Sequence, residues 1–428
     1  MGSGLQLISH NPDFNPHMPV HSAKQILIAT CTAQLFAQMG AYTLPALLPT
    51  FIREWSLSNS EAGWLTGVFY GGYVVAVPVL VTLTDRVDPK RIYVCSLLVT
   101  LMSHVGFVFC ADDFASGLLF RIMAGIGWAG TYMPGLKVLA DHLHGTLQTR
   151  AVSFHAASVG VAGSLSFIIA ATIESTSNWQ WAFTAAAGFA GLAFILALIY
   201  MPSRVRPTEV YAEAIFNFRP VLRNHASLAY SLGYFAHTWE MFVQRNWVVV
   251  LLVYVAAEAG TEQLIFPPAY IPFIVGLLGT WASVSGNEIA IRTGRQRWVL
   301  GVFFSSMVAL ITVALASSSG FYLLVAGLCI IHGILIFADS SALTAGASGN
   351  SEPERRGAQL ALHSILGYGG GFIGAVVFGT VLDFAGGQST IGWLAAFGSV
   401  LVVLAIGPFA IWYFKPKDLG GDKPWGQP

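Results

Sequence analysis

Charge is the scarce ingredient of this chain: only 10% of its 428 residues are Asp, Glu, Lys or Arg, and 21 basic residues balance 21 acidic ones. A chain with no net charge offers no broad electrostatic surface to nucleic acid or to an acidic partner. Cysteine is almost as sparse. Cys31, Cys95, Cys110 and Cys329 lie far apart in apolar segments, which gives neither a metal-ligand spacing nor a disulfide framework, and they read as small core residues. No G-x-x-x-x-G-K-[ST] loop occurs, and no long hydrophilic segment is left to house a nucleotide, so ATP-driven pumping by this chain alone is disfavoured. The opening residues lack the charged head, apolar run and small-residue cleavage site of a removed signal peptide.

Apolar side chains are what the chain has in excess. Hydrophobic residues make up 55% and aromatic ones 13%, and the mean hydropathy is +0.65, far above a soluble domain. Twelve runs are long enough to cross about 30 Å of hydrocarbon: 25–52, 61–84, 92–110, 115–140, 150–173, 180–201, 226–255, 266–290, 298–316, 320–346, 357–382 and 389–414. In lipid they must be helices, because the backbone there has no water to bond and the runs are too long for barrel strands. An all-α polytopic membrane protein of twelve transmembrane helices is therefore expected.

Basic residues fix the expected orientation. Of the 21, 17 fall in one set of alternate loops, from Lys24 to Lys423, and the opposite set holds only Arg53. That asymmetry puts both termini in the cytoplasm and supports an even number of spans. The polar stretch from Pro202 to His225 divides the spans six and six. The expected organisation is a cytoplasmic tail at 1–24, a six-helix bundle at 25–201, a linker at 202–225, a second bundle at 226–414 and a cytoplasmic tail at 415–428. Two such halves with a site between them are a recurring plan of secondary transporters.

Ionisable groups at membrane depth are the functional candidates, since each costs at least about 2.5 kcal/mol at a helix centre and needs a cavity or a partner. On the fourth span Arg121, Gly125, Trp128 and Tyr132 fall on one stripe that could bind an anion. On the seventh, His237, Glu240, Met241 and Gln244 share a face by i, i+3, i+4, i+7 spacing, and Arg245 lies about 140° round the helix from Glu240. Glu240 and Arg245 should therefore have different partners. On the tenth, His332 and Asp339 are seven apart and share a face. The first span offers Gln34, Gln38 and Tyr42 as uncharged groups for a substrate pocket. For each of these the plain alternative is a satisfied structural network. The one Met–His pair has no second pair at comparable spacing, so no copper path, metal or other cofactor is expected.

The loop "LTDRVDPKR" resembles the signature loop of the major facilitator superfamily, Gly-x-Leu-x-Asp-Arg-x-Gly-Arg-Lys: Leu83, Asp85, Arg86 and Lys90 match, whereas Val81, Asp88 and Pro89 depart from it. Its counterpart in the second half, "NEIAIRTGRQR", keeps Arg292, Gly294, Arg295 and Arg297 but has Ile291 where an acid would sit. "RIMAGIGWAG" is similar to the family's fourth-helix pattern, and "NWQWAF" resembles the entry to its sixth helix. The proline-containing fifth-helix motif associated with antiporters is missing from "VGVAGSLSF". More narrowly, "HTWEM" and "ADSSALTA" resemble segments of bacterial transporters grouped with the nitrate, nitrite and cyanate branch, yet the second span has no Arg and the eighth none before Arg292, which argues against nitrate itself.

The resemblance implies two six-helix bundles that rock about a central site, with Asp85, Arg86, Lys90, Arg292 and Arg295 in the loops that govern switching. The expected function is secondary transport of a small organic or inorganic anion, coupled to protons as in symport, by a monomer in a bacterial inner membrane. Arg121, Arg245, Gln34, Gln38, Tyr42, Trp128, Tyr132 and Gln244 are the candidates for substrate binding. Glu240, Asp339, His237 and His332 are those for proton coupling. An exporter of amphiphilic drugs, or a non-transporting membrane sensor or assembly factor, are the alternatives.

Overall fold

The computed structural model describes residues 22–84, 86–203, 218–260, 266–352, 355–416 and 419–423. Its elements are helices making twelve passes. In the first half these are a broken span 1 (Ala23–Gln38, Thr43–Ala46 and Leu48–Glu54), span 2 (Asn59–Leu83), span 3 (Pro89–Cys110), a broken span 4 (Phe114–Ala129 and Tyr132–His142), span 5 (Gly145–Thr176) and span 6 (Trp179–Tyr200). In the second half they are span 7 (His225–Glu258), span 8 (Tyr270–Thr293), span 9 (Arg295–Ala316), a broken span 10 (Tyr322–Phe337 and Ser340–Gly349), span 11 (Arg356–Phe384) and a broken span 12 (Thr390–Leu404 and Ile406–Phe414).

The starts of these helices are written in capping residues. Ser58 accepts from the backbone of Glu61 while Glu61 reaches back, Asp113 does the same with Ser116, and Asn178, Asn224 and Ser389 each cap a following span. These caps satisfy N–H groups that a helix end leaves unbonded. The breaks have causes too. Pro134 and Pro408 lack the N–H that would bond the carbonyls of Gly130 and Leu404, four residues earlier, which is where spans 4 and 12 interrupt. At the break in span 10 the indole N–H of Trp298 donates to the Ala338 carbonyl at 2.9 Å, taking up a group the interrupted helix leaves free.

Within each half the helices form one bundle: span 1 lies against spans 5 and 6, span 3 against 4 and 6, and span 2 against 4, while span 7 is flanked by 10, 11 and 12. The halves meet chiefly through span 2 on span 11 and span 5 on span 8, with span 7 near the last two pieces of span 1. Small residues permit the approach. A Cβ on Gly67 would come within 2.8 Å of the Phe372 carbonyl, and one on Gly63 would press on that of Ala375. Gly367, Gly370, Gly371 and Gly374 instead receive Tyr234, Phe235, Phe242 and Trp239 of span 7, so the two glycine runs do not face each other.

At the face away from the termini the halves are latched. Asp383, at the end of span 11, accepts from the backbone N–H groups of Asn59 (3.0 Å) and Ser60 (2.7 Å) and from their side chains (2.7 and 2.6 Å). A carboxylate from one bundle thus caps the first turn of a helix in the other, where the helix dipole favours it. Inter-bundle ring contacts continue inward from there to Tyr73 and Tyr368, with centroids 4.0 Å apart. At 1.5 Å per residue Tyr73 lies about 21 Å along span 2 from Asn59, so the seal runs from the far face to mid-depth.

Candidate functional site

Two clusters collect the polar groups at membrane depth. The first lies between the bundles. Trp128 stacks on Phe69 (5.0 Å) and meets Tyr73 (5.2 Å) and Tyr368 (5.4 Å), while Tyr70 packs on Phe242 at 4.1 Å. Two arginines flank this aromatic layer. The Arg121 guanidinium sits 4.6 Å over the Phe69 ring, and that of Arg245 lies between Tyr42 (4.9 Å) and Phe337 (5.1 Å) and donates to the Tyr42 hydroxyl. Arg121 is only 2% exposed, and neither its Nε nor its Nη1 has a hydrogen-bond partner. Neither arginine has a carboxylate within ion-pair distance among the described residues. The Trp128 indole N–H and the Asn246 amide N–H groups are also buried without partners. The unspent groups of Arg121, Trp128 and Asn246 are donors, and an acceptor-rich anion is what such a set can hold.

The second cluster lies inside the second bundle. Spans 7 and 10 run antiparallel, so their polar residues pair in order: His237 with Asp339 near the terminal face, Glu240 with His332 farther out. The Glu240 Oε1 accepts from His332 Nε2 at 2.9 Å and from the Ser306 hydroxyl at 2.9 Å. The Gln244 amide donates to the Cys329 carbonyl (2.9 Å) and faces His332 Nδ1 at 3.3 Å. With the amide so oriented, Nδ1 is the acceptor and the imidazole proton sits on Nε2, aimed at Glu240. His237 Nδ1 approaches Asp339 Oδ1 at 2.8 Å, too poorly aligned for a hydrogen bond, so that oxygen and His237 Nε2 remain without one. The Tyr234 ring stacks between His237 and His363 (5.5 and 4.0 Å) and extends the cluster to span 11. Two acids and two imidazoles at close range can exchange protons without moving a formal charge into lipid.

Glu240 and Arg245 have separate partners, as their angular separation requires. Several other expected placements are corrected. Tyr132 leaves the Arg121 stripe because Pro134 breaks the helix between them, and its ring stacks on His155 (5.3 Å). Gln34 and Gln38 turn into the first bundle, where Gln34 accepts from the Tyr93 hydroxyl (3.0 Å) and Gln38 donates to Thr131 (3.2 Å), whereas Tyr42, past the break in span 1, alone reaches an arginine. Gln244 belongs with His332 rather than with the arginines. His332 and Asp339 do not act as one face, because the break at Ala338–Asp339 separates them onto different partners.

Of the loop residues, Asp85 lies outside the described residues. Arg86 is exposed, Lys90 Nζ donates to the Leu198 carbonyl at 2.9 Å, and Asp88 caps span 3. Arg292 makes an exposed contact with Glu288 at 3.9 Å. Arg295 is different. It is buried, bonds Asn287 (2.8 Å) and the Ala342 carbonyl (3.2 Å), and forms a two-pronged pair with Asp422 at 2.8 and 2.9 Å. The acid missing at Ile291 is thus supplied by the tail, which also ties Lys423 N to the Ile291 carbonyl at 2.9 Å. No sequence signal pointed to Asp422. Asp383, Ser306 and, Trp128 aside, the aromatic layer were likewise not singled out, the last because aromatic residues are common throughout this chain.

Twelve passes in two bundles around an inter-bundle site define a membrane transport fold. The family model of the Major Facilitator Superfamily matches residues 30–375, and the chain belongs to that superfamily. It is a multi-pass membrane transporter of that class. It is 25% identical over 273 residues to Protein spinster homolog 3 of Danio rerio, covering 60% of this chain and 54% of that protein. It is 22% identical to the Sphingosine-1-phosphate transporter SPNS2 of Xenopus tropicalis over 87% of this chain and 76% of that one. The chain thus spans about half the length of the zebrafish relative. Among solved structures, a bacterial homolog of the human lysosomal transporter Spinster, inward-facing and occupied, superposes with a TM-score of 0.70 at 16% identity, covering 92% of this chain and 96% of that one. The nucleoside transporter NupG gives 0.71 at 14%, covering 91% and 99%. At these identities the likeness is one of fold.

Proposed function

We propose that this transporter moves a small anion by alternating access, driven by protons taken up in the second bundle. The observation that carries this is the division of charge. Two arginines without carboxylate partners among the described residues flank the layer between the bundles, while the acids Glu240 and Asp339 lie beside histidines inside one bundle. A buried guanidinium with free N–H groups is costly unless something anionic joins it, and the place where the halves meet is where alternating access needs its substrate. The relative named for sphingosine-1-phosphate carries a cargo with an anionic headgroup, which agrees with this reading.

The bias of basic residues toward the terminal face orients both termini to the cytoplasm, in a bacterial inner membrane. The far-face latch then closes the inter-bundle site on the side away from the cytoplasm. Arg121 and Arg245 hold the anion from opposite bundles; Glu240–His332 and His237–Asp339 bind and release the coupling proton. The protein works as a monomer. The aromatic layer favours one second reading, export of an amphiphile with an apolar body beside its charge.

Proteoliposomes carrying the chain, screened with radiolabelled carboxylates and phosphate esters under a pH gradient, test this. Arg121→Gln and Arg245→Gln should each abolish accumulation, and Glu240→Gln with Asp339→Asn should leave counterflow but remove the response to the gradient. Gradient-driven accumulation that survives both carboxylate substitutions, or robust transport of a neutral solute by the arginine variants, sinks the proposal. Dye efflux separates the amphiphile reading, and binding without flux would mark a sensor.

A further inference from the structure

Beside Glu240, and within the second bundle rather than between the bundles, is a cavity of about 20 Å³. That is room for one water molecule. Its wall on span 7 is a single stripe: Glu240, Val243, Gln244, Trp247, Val248 and Leu251, facing spans 9, 10 and 12. Eleven residues separate the ends of the stripe, about 16 Å of helix. Span 7 runs outward from the terminal face, so the lining points from Glu240 in the direction of the far face and ends at the buried Leu251. Only its inner end is polar, where Gln244, Cys329 and His332 join Glu240. Both hydrogen bonds to Glu240 fall on Oε1, and Oε2 takes none among the described residues.

We propose that this cavity is the route by which protons reach Glu240 from the far face, separate from the path of the substrate. The proposal rests on the reading of Glu240 and His332 as the coupling pair. A single water in the cavity donates a hydrogen bond to Oε2. A hydronium arriving there transfers its proton to the carboxylate, leaving neutral carboxyl and water, so atoms and charge balance with no other reactant. Apolar walls admit single waters and exclude hydrated ions, and the latch between the bundles stays shut throughout. The charged and titratable neighbours of Glu240 are His332 and Cys329 on span 10, Asp339 at that span's break within electrostatic reach, and His237 one turn earlier on its own helix. Span 9 offers only the Ser306 hydroxyl and span 12 only Phe397 and Val400, while Arg245 is turned away toward Tyr42.

Dicyclohexylcarbodiimide modifies protonated carboxyls in apolar surroundings, and mass spectrometry of the full chain purified from right-side-out and inverted membrane vesicles would read its addition to Glu240. Lowering the pH at the far face, with the opposite face held fixed, should raise the modification several-fold; the reverse experiment should leave it near its starting level. Val248→Phe, or the milder Val313→Ile on span 9, should fill the cavity and remove most of that response. Modification that tracks the terminal-face pH, or that is indifferent to both filling substitutions, overturns the route while leaving the coupling pair intact. Modification that follows the pH of neither face overturns both.

Discussion

Removing the Asp383 carboxylate should open the far face. Its two oxygens accept four hydrogen bonds from Asn59 and Ser60, two of them from backbone N–H groups in the first turn of span 2. Hydrogen bonds to a charged group contribute about 1.5–3 kcal/mol each when well buried, and an anion at a helix N-terminus adds about 0.3–1 kcal/mol. Asp383 is partly exposed, and four bonds to one carboxylate are not additive, so about 1–3 kcal/mol in total is the reasonable figure. The bonds exist only while the far ends of spans 2 and 11 touch. Their whole contribution therefore biases the conformational equilibrium, and Asp383→Ala should shift it roughly 5- to 150-fold toward the far-open form. Spin labels at Asp112→Cys and Glu258→Cys, exposed far-face positions on opposite bundles, would report this by electron–electron double resonance in a background with the native cysteines replaced. A longer distance should gain population in Asp383→Ala. An unchanged distribution would refute the latch, and a lower melting temperature with no distance change would reduce Asp383 to a structural cap.

Three more outcomes follow from contacts elsewhere. Gly125→Val should cost about 1–3 kcal/mol by overpacking, because even a Cβ there would press into the Phe69 carbonyl; a melting temperature equal to that of the native chain would show that span 4 can yield. Asp422→Ala leaves the buried Arg295 without its counter-ion and should destabilise the detergent-solubilised protein by about 3–5 kcal/mol, an effect that Ile291→Asp, placed beside the tail's backbone contact, should partly reverse in a thermal-unfolding assay. Trp298→Phe removes the donor that satisfies the Ala338 carbonyl and should cost about 1–3 kcal/mol, visible as faster amide exchange across the break in span 10 but not in span 9.

The spans were legible because lipid demands long apolar runs; the caps Ser58, Asp113 and Asn178, which fix where three of them begin, emerged from the structure. The two faces of span 7 were legible from angle alone, which is why Glu240 and Arg245 separate cleanly. Interruptions were the weak point. Assuming an unbroken fourth helix placed Tyr132 on the Arg121 stripe, although Pro134 already signalled a lost hydrogen bond at Gly130. The break in span 10 has no proline, and what sustains it is a tryptophan from another helix, so no local pattern could announce it. Gln34 and Gln38 went astray for a related reason: a helical face shows which residues align, not whether they look into their own bundle or across to the other one. Asp422 finds Arg295 from 127 positions away, and no local rule reaches that far.

The fold-back of the tail has a practical side. Between Phe414 and Lys423 the chain looks, in sequence, like a spare end on which to hang a reporter. Yet Leu419 packs over Gly349, Gln296 bonds the Pro416 carbonyl at 2.6 Å, and Asp422 is as buried as the arginine it meets. A protease site or fluorescent domain inserted in this stretch would strip a buried charge of its partner, and its signal would then measure a protein it had itself weakened.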